Sequence, residues 1–172
     1  MIWPVFITVI SGHDKSQPPG CLLDFILNNK KIKNVVLAAN YNKYEGDEKY
    51  SGFVKGFENT VKKLTDGGKR VTVLDQIPSP GVNVPNDLAN AKFIVNKSFA
   101  YDDTTFKKIE FENGVNIFHF EKYLCDRDSC SMMYENYPVL FDDNHLSLTV
   151  AKIMAPHIYE MISDNRKENE RF

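Results

Sequence analysis

Two adjacent carboxylates and a histidine stand close together near the C-terminus, in Leu140-Phe141-Asp142-Asp143-Asn144-His145-Leu146-Ser147. Residues 148–162 carry apolar side chains at near-helical spacing, so Ser147 is predicted to cap a helix. Asp142 and His145 then lie three positions apart in the turn that enters this helix. A turn can fold the carboxylate back onto one imidazole nitrogen. Such a contact fixes the tautomer, stabilises an imidazolium and frees the other nitrogen to act as a base. Asp143, only two residues from His145, is expected to cap the turn or contact a loop. The plainer reading of the same residues is that both carboxylates serve the turn and His145 is a satisfied polar side chain, since Asp and Asn gather in turns for local reasons.

The other reactive side chains are the cysteines. Cys125 and Cys130 are separated by four residues, and three chemistries are open to them. They can close a small disulfide loop in an oxidising compartment. They can remain as reduced buried thiols, or they can bind zinc with His119 and His145. The zinc spacing matches no familiar ligand pattern, so no metal is expected. Cys21 is left over as a core residue of a short helix.

The elements that must position these groups follow from periodicity and punctuation. A chain of 172 residues suggests one domain with a real core. Residues 5–10 are a buried strand, ended by Ser11-Gly12 and a polar loop through Pro18-Pro19-Gly20. Residues 21–29 form a short helix with Leu22, Leu23, Phe25 and Ile26 as its apolar face. A second strand covers 34–39 and a loop runs from 40 to 48. A helix follows with Phe53, Phe57, Val61 and Leu64 on one stripe, stopped at Gly67-Gly68. A third strand spans 70–77, residues 86–100 are predicted helical, and 104–112 extend that helical region. The fourth strand is 115–120, and 134–142 are irregular with room for a short strand. The last helix runs to about residue 163, with Pro156 implying a kink or break. Residues 164–172 form a charged tail.

Alternating strands and helices give an α/β fold with a mainly parallel sheet. Ligands of such sheets bind at the carboxyl ends of the strands, where Asn40 and the loop after Ile77 fall. A net charge of −2 with scattered basic residues argues against a nucleic-acid surface. Lys30, Lys31 and Lys33, the densest basic group, fit a solvated helix end. Residues 2–10 are too short to span a bilayer and contain Pro4, and they lack the basic start and cleavage site of a signal peptide. No phosphate-binding glycine loop is present, and no cofactor is implied.

Asp-x-x-His-Leu-Ser opening the final helix resembles the last block of the SGNH (GDSL-type) hydrolase superfamily. More narrowly, it is similar to the extracytoplasmic SGNH domain fused behind membrane-bound acyltransferases that O-acylate cell-surface polysaccharides. Val35-Val36-Leu37-Ala38-Ala39 followed by Tyr44, then Gly68-Lys69-Arg70-Val71-Thr72-Val73-Leu74 and Ile77-Pro78, match the usual strands of that domain in order. The Cys-x4-Cys loop ahead of the Asp-His block matches as well. The likeness extends over residues 5–158.

The resemblance carries specific implications. It implies a three-layer α/β sandwich over residues 1–163, SGNH- or flavodoxin-like and lacking its first strand. It implies Asp142 as the orienting carboxylate, His145 as the base, and a disulfide between Cys125 and Cys130. Ala38-Ala39-Asn40 is similar to the family's Gly-x-Asn block with its glycine replaced, so Asn40 becomes a candidate oxyanion donor beside the alternative of an ordinary loop asparagine. The nucleophile is the gap, because no Gly-Asp-Ser occurs in the sequence. Ser11-Gly12-His13-Asp14 has suggestive residue types in the wrong order, and it looks like the stretch after the nucleophile block. The expectation is therefore a piece, or a degenerate copy, of a protein whose serine comes from elsewhere, and a chain that is inactive alone. The substrate would be a carbohydrate or an acyl ester, and the partner a membrane acyltransferase domain in a parent chain. The site would face the periplasm or the cell exterior. The competing expectation is a non-catalytic module that keeps the fold and binds glycan or a partner protein.

Overall fold

The computed structural model describes residues 5–6, 21–44, 52–90, 98–101, 106–112, 114–127 and 129–167. In chain order its elements begin with β1 (Val5–Phe6), α1 (Cys21–Asn28), β2 (Asn34–Ala38), α2 (Phe53–Asp66) and β3 (Arg70–Leu74). There follow α3 (Val84–Asn90), β4 (Ser98–Ala100), β5 (Asn116–Phe118), α4 (Glu121–Leu124) and β6 (Cys125–Asp126). The last are β7 (Ser129–Ser131), β8 (Met133–Tyr134), β9 (Tyr137–Pro138) and α5 (Leu148–Lys167). The chain divides into two compact units, Met1–Asp75 with Thr104–Phe118, and Gln76–Asp103 with His119–Phe172.

The first unit is built on a parallel sheet of order β1-β2-β3-β5. Val35 pairs with Val71, Leu37 with Val73, and Thr72 with Asn116. Asn34 through Leu37 and Val71 through Val73 are all buried, so neither strand alternates. That is the signature of parallel strands covered on both faces. On α2, Phe57, Val61 and Leu64 are buried at helical spacing and form the stripe that meets the core. Tyr41, fully buried, packs edge-to-face against Phe57 and Phe106 with centroids 5.5 and 4.9 Å away, and its hydroxyl donates to the Leu74 carbonyl at 2.9 Å. The helix stops where expected: Gly67 N–H returns to the Lys63 carbonyl, and Gly68 takes φ +73°, which a side chain disfavours.

Two expectations are corrected in this unit. Among the described side chains of α1 only Ile26 is buried, with Leu23 and Leu27 packed against the core, whereas Leu22 and Phe25 are 52% and 58% exposed. The apolar run was too dense for spacing alone to choose the face; Leu27, packed beside Gly67, belongs to the buried side. Of residues 104–112, the described ones, 106–112, do not continue an α-helix. A 3-10 turn, Phe106–Lys108, is followed by chain that is neither helix nor strand through residue 112. Phe106 and Ile109 are buried three residues apart, which suits that tight turn. The expected strand 5–10 is seen at Val5–Phe6, and residues 7–10 lie outside the described residues.

In the second unit, β4, β7 and β6 form an antiparallel sheet and β8 pairs with β9. The predicted helix over 86–100 is seen as α3 up to Asn90, whereas Ser98–Ala100 is strand. Phe99 pairs with Cys130, a partner thirty-one positions on that local pattern does not reveal. Within 134–142, expected to be irregular with room for a short strand, that strand is β9, paired with β8 in a hairpin. The final helix buries Val150, Met154 and Ile162, and it continues through Pro156 to Lys167. Lys152 and Pro156 are both exposed, so the backbone bond that proline cannot make falls on the solvent side.

Among the described residues no helix is long and apolar enough to cross a membrane. The architecture is mixed α/β around a parallel sheet, as the order of strands and helices implied.

Candidate functional site

The Asp142–His145 turn is held from both ends of its own loop. Phe141 N–H donates to the His145 carbonyl at 2.7 Å, Leu140 bridges Leu146, and Ser147 N–H donates to the Val139 carbonyl at 2.8 Å. Val139 and Leu140 are buried and anchor the base of the loop. Ser147 caps α5: its hydroxyl accepts the Val150 N–H at 3.4 Å and donates to the Pro138 carbonyl at 2.6 Å. A second loop clamps the turn from the side. Ser79 Oγ donates to the Asp143 carbonyl, and Val84 N–H to the Asp142 carbonyl at 3.2 Å. Ser79 Oγ also accepts the Gly81 N–H at 3.2 Å, and Gly81 takes φ +71°.

Within this frame the two oxygens of Asp142 do different things. Oδ1 accepts the backbone N–H groups of Asn144 and His145 at 2.9 and 2.7 Å. Oδ2 meets His145 Nδ1 at 2.7 Å. The backbone N–H of Asn144, then that of His145, and then the imidazole hold the Asp142 carboxyl down to about 2. It is therefore ionised at neutral pH and accepts only, so Nδ1 carries the proton toward it and Nε2 is left as the basic nitrogen. The His145 side chain is 75% exposed, while Asp142 is 30% exposed. Asp143 contributes less: its side chain accepts from Asn144 Nδ2 at 3.0 Å, and its carbonyl takes the Ser79 bond. The turn-capping and histidine-orienting readings thus describe one residue, Asp142, and not a choice between the two carboxylates.

The family model for the SGNH domain (fused to AT3 domains) matches residues 22–160. The chain belongs to this SGNH family. Among solved structures, it is similar to the periplasmic domain of a lipopolysaccharide acetyltransferase from Salmonella ser. Paratyphi A. That likeness has a TM-score of 0.51 at 18% identity and covers 72% of this chain and 54% of the other. The chain thus spans about half the length of that structure, and at this identity the likeness speaks for the fold. No curated protein matches the chain significantly.

The SGNH chain also carries the disulfide that its Cys-x4-Cys loop implied. Cys125 and Cys130 are bonded, facing each other across the β6–β7 hairpin with Cα atoms 3.9 Å apart. That separation is shorter than the usual disulfide range of about 4.4–6.8 Å, and shorter than the spacing of about 4.5 Å in a directly opposed, non-hydrogen-bonded antiparallel pair. A bonded pair supplies no thiolate to zinc. Among the described residues no group of three or more His, Cys, Asp or Glu side chains could hold a metal ion. Cys21 opens α1, and its side chain lies outside the described residues. Asn40 belongs to the sheet unit, half-buried and two residues past the end of β2. Ser11 lies outside the described residues.

The clamp from the 79–84 loop was not read from the sequence. Ser79-Pro80-Gly81 marks a turn, and a serine beside such a turn is a ready donor. What no local signal announces is a partner sixty-four residues away.

Proposed function

We propose that this SGNH domain serves acyl transfer on cell-surface carbohydrate, with Asp142 orienting His145 and His145 acting as general base. The observation that carries this reading is the 2.7 Å contact between Asp142 Oδ2 and His145 Nδ1, in a turn that leaves the imidazole exposed. In the proposed reaction Nε2 takes the proton of a serine hydroxyl as its oxygen attacks the acyl carbonyl. The same nitrogen then returns that proton to the departing alkoxide. In the second half, an acceptor sugar hydroxyl gives its proton to Nε2 and takes the acyl group, and the serine hydroxyl is restored. Asp142 stays ionised throughout and stabilises the transient imidazolium. The serine would come from a Gly-Asp-Ser turn, which this sequence does not contain.

Three further features support the placement. The family is one of domains fused to AT3 domains, so the proposed partner is a membrane acyltransferase domain in the parent protein. The similar solved structure is the periplasmic domain of a lipopolysaccharide acetyltransferase. The Cys125–Cys130 disulfide suits an oxidising compartment. The proposed location is therefore the periplasmic or outer face of a membrane-anchored parent.

The test is to replace His145 by alanine, and separately Asp142 by asparagine, in the membrane-anchored parent. O-acetyl groups on the surface polysaccharide are then counted by proton NMR. The reading requires His145→Ala to abolish acylation and Asp142→Asn to reduce it severely. Unchanged acylation in both variants, at equal protein levels, would leave a non-catalytic module in its place.

A further inference from the structure

We infer that the second unit holds a sugar-binding subsite, selective for neutral pyranosides, in the cleft between the disulfide hairpin and the β8–β9 hairpin. The cleft has a volume of about 550 Å³. Its useful side chains are Tyr123, Tyr134, Ser129, Ser131, Asp126 and Glu135. That set is what a pyranose asks for. Tyrosine rings cover the apolar C–H face of a sugar, while hydroxyls and carboxylates take its hydroxyl groups.

Charge narrows the ligand. Among the described lining residues Asp126 and Glu135 are the acidic ones, and no lysine or arginine joins them. A phosphorylated sugar or a uronic acid would meet two carboxylates of like charge, whereas a neutral diol offers two donors to each.

The frame is prepared for this use. The Cys125–Cys130 bond ties β6 to β7, and the Tyr123 ring lies against His157 of α5 with centroids 4.8 Å apart. The non-glycine residues with positive φ among the described residues are Arg127 at 56° and Glu135 at 53°. Both stand in the two-residue connections of these hairpins, where glycine would cost less. Glu135 keeps a carboxylate at the cleft in spite of that strain.

A chain of backbone links runs from the cleft to the proposed acyl site. Tyr134 pairs with Tyr137, Pro138 O accepts the Ser147 hydroxyl, and His145 lies two residues before Ser147. The inference deepens the proposed acyl-transfer function by naming the acceptor class, and it rests on that reading only for its biological role.

The experiment titrates the 15N-labelled 172-residue chain with methyl glycosides of glucose, galactose, mannose and rhamnose, and separately with glucuronate and with calcium chloride. The expected result is saturable amide shifts at Ser129, Ser131, Tyr134 and Glu135 with at least one neutral glycoside, and none with glucuronate. Tyr134→Ala should weaken that binding about tenfold. Glu135→Gln, at an exposed turn position, should weaken it while keeping the spectrum of a folded protein. His145→Ala should leave it unchanged, so sugar binding can hold even where acyl transfer fails, and the reverse. The inference is overturned by an absence of saturable shifts with every neutral glycoside. It is equally overturned by binding that both cleft variants leave intact, or by a site that responds to calcium or glucuronate instead.

Discussion

Asp142 holds His145 twice, through Oδ1 on its backbone N–H at 2.7 Å and through Oδ2 on its Nδ1 at 2.7 Å. One carboxylate therefore sets both the path of the chain and the proton on the ring. This coupling makes an asparagine substitution informative. The N–H groups of Asn144 and His145 demand an oxygen at the Oδ1 position, so in Asp142→Asn the new amide nitrogen must face Nδ1. Nδ1 then becomes the acceptor and the proton moves to Nε2. In that variant, 15N NMR of the neutral ring should show the Nε2–H tautomer, against Nδ1–H in the parent chain. A variant that keeps Nδ1–H would show that the turn does not control the ring.

The same contacts give an acid-sensitive stability. The Asp142 carboxyl is lowered from 3.8 to about 2 on folding, chiefly by the two backbone N–H groups. The unfolded chain then binds a proton that the folded chain refuses. The contribution is fully present above about pH 4 and disappears as pH falls through about 2. Thermal unfolding followed across that window should lose less midpoint in Asp142→Asn than in the parent. Parallel curves for the two proteins would contradict the assignment of this carboxyl as a source of acid sensitivity.

Cysteine state separates compartments and tests the hairpin. Material made under oxidising conditions and denatured should titrate one thiol, that of Cys21, because Cys125 and Cys130 are bonded. Closing so short a loop restrains the unfolded chain by about 2 kcal/mol in the chain-entropy account. Reduction should therefore lower the urea midpoint of unfolding. Three free thiols in such material would remove the disulfide from this protein.

The parts of this structure that were legible beforehand are those set by near neighbours. Asp142 and His145 are three residues apart, and the cap at Ser147 follows immediately, so residue types at short spacing were enough to bring them together. The stripe of Phe57, Val61 and Leu64 and the uninterrupted apolar run of β2 declared themselves in the same way. The misread parts depend on distant partners. Ser98–Ala100 is a strand because β7 offers an edge thirty residues on, and α1 turns Leu23, Ile26 and Leu27 inward although Leu22 and Phe25 are as apolar. The Ser79 clamp on Asp143 falls in the same class.

The chain by itself should not turn over a small aryl acetate in a His145-dependent way. His145 is exposed and its Nε2 is basic, but a base alone does not make an acyl-enzyme; it needs a hydroxyl presented to that nitrogen. The sequence has no Gly-Asp-Ser turn to present one. A nucleophile elbow also brings its own backbone N–H to the oxyanion, and one such donor is worth on the order of 10²–10³ in rate. Both contributions are missing together, so any hydrolysis should stay at the background level and persist in His145→Ala. A longer protein that adds a Gly-Asp-Ser turn should gain turnover, and that turnover should vanish both in His145→Ala and in the serine variant. The decisive control is Ser11→Ala in the chain alone. Activity that is present in the unsubstituted 172-residue chain and absent in that variant would make Ser11-Gly12 the nucleophile turn and overturn this account.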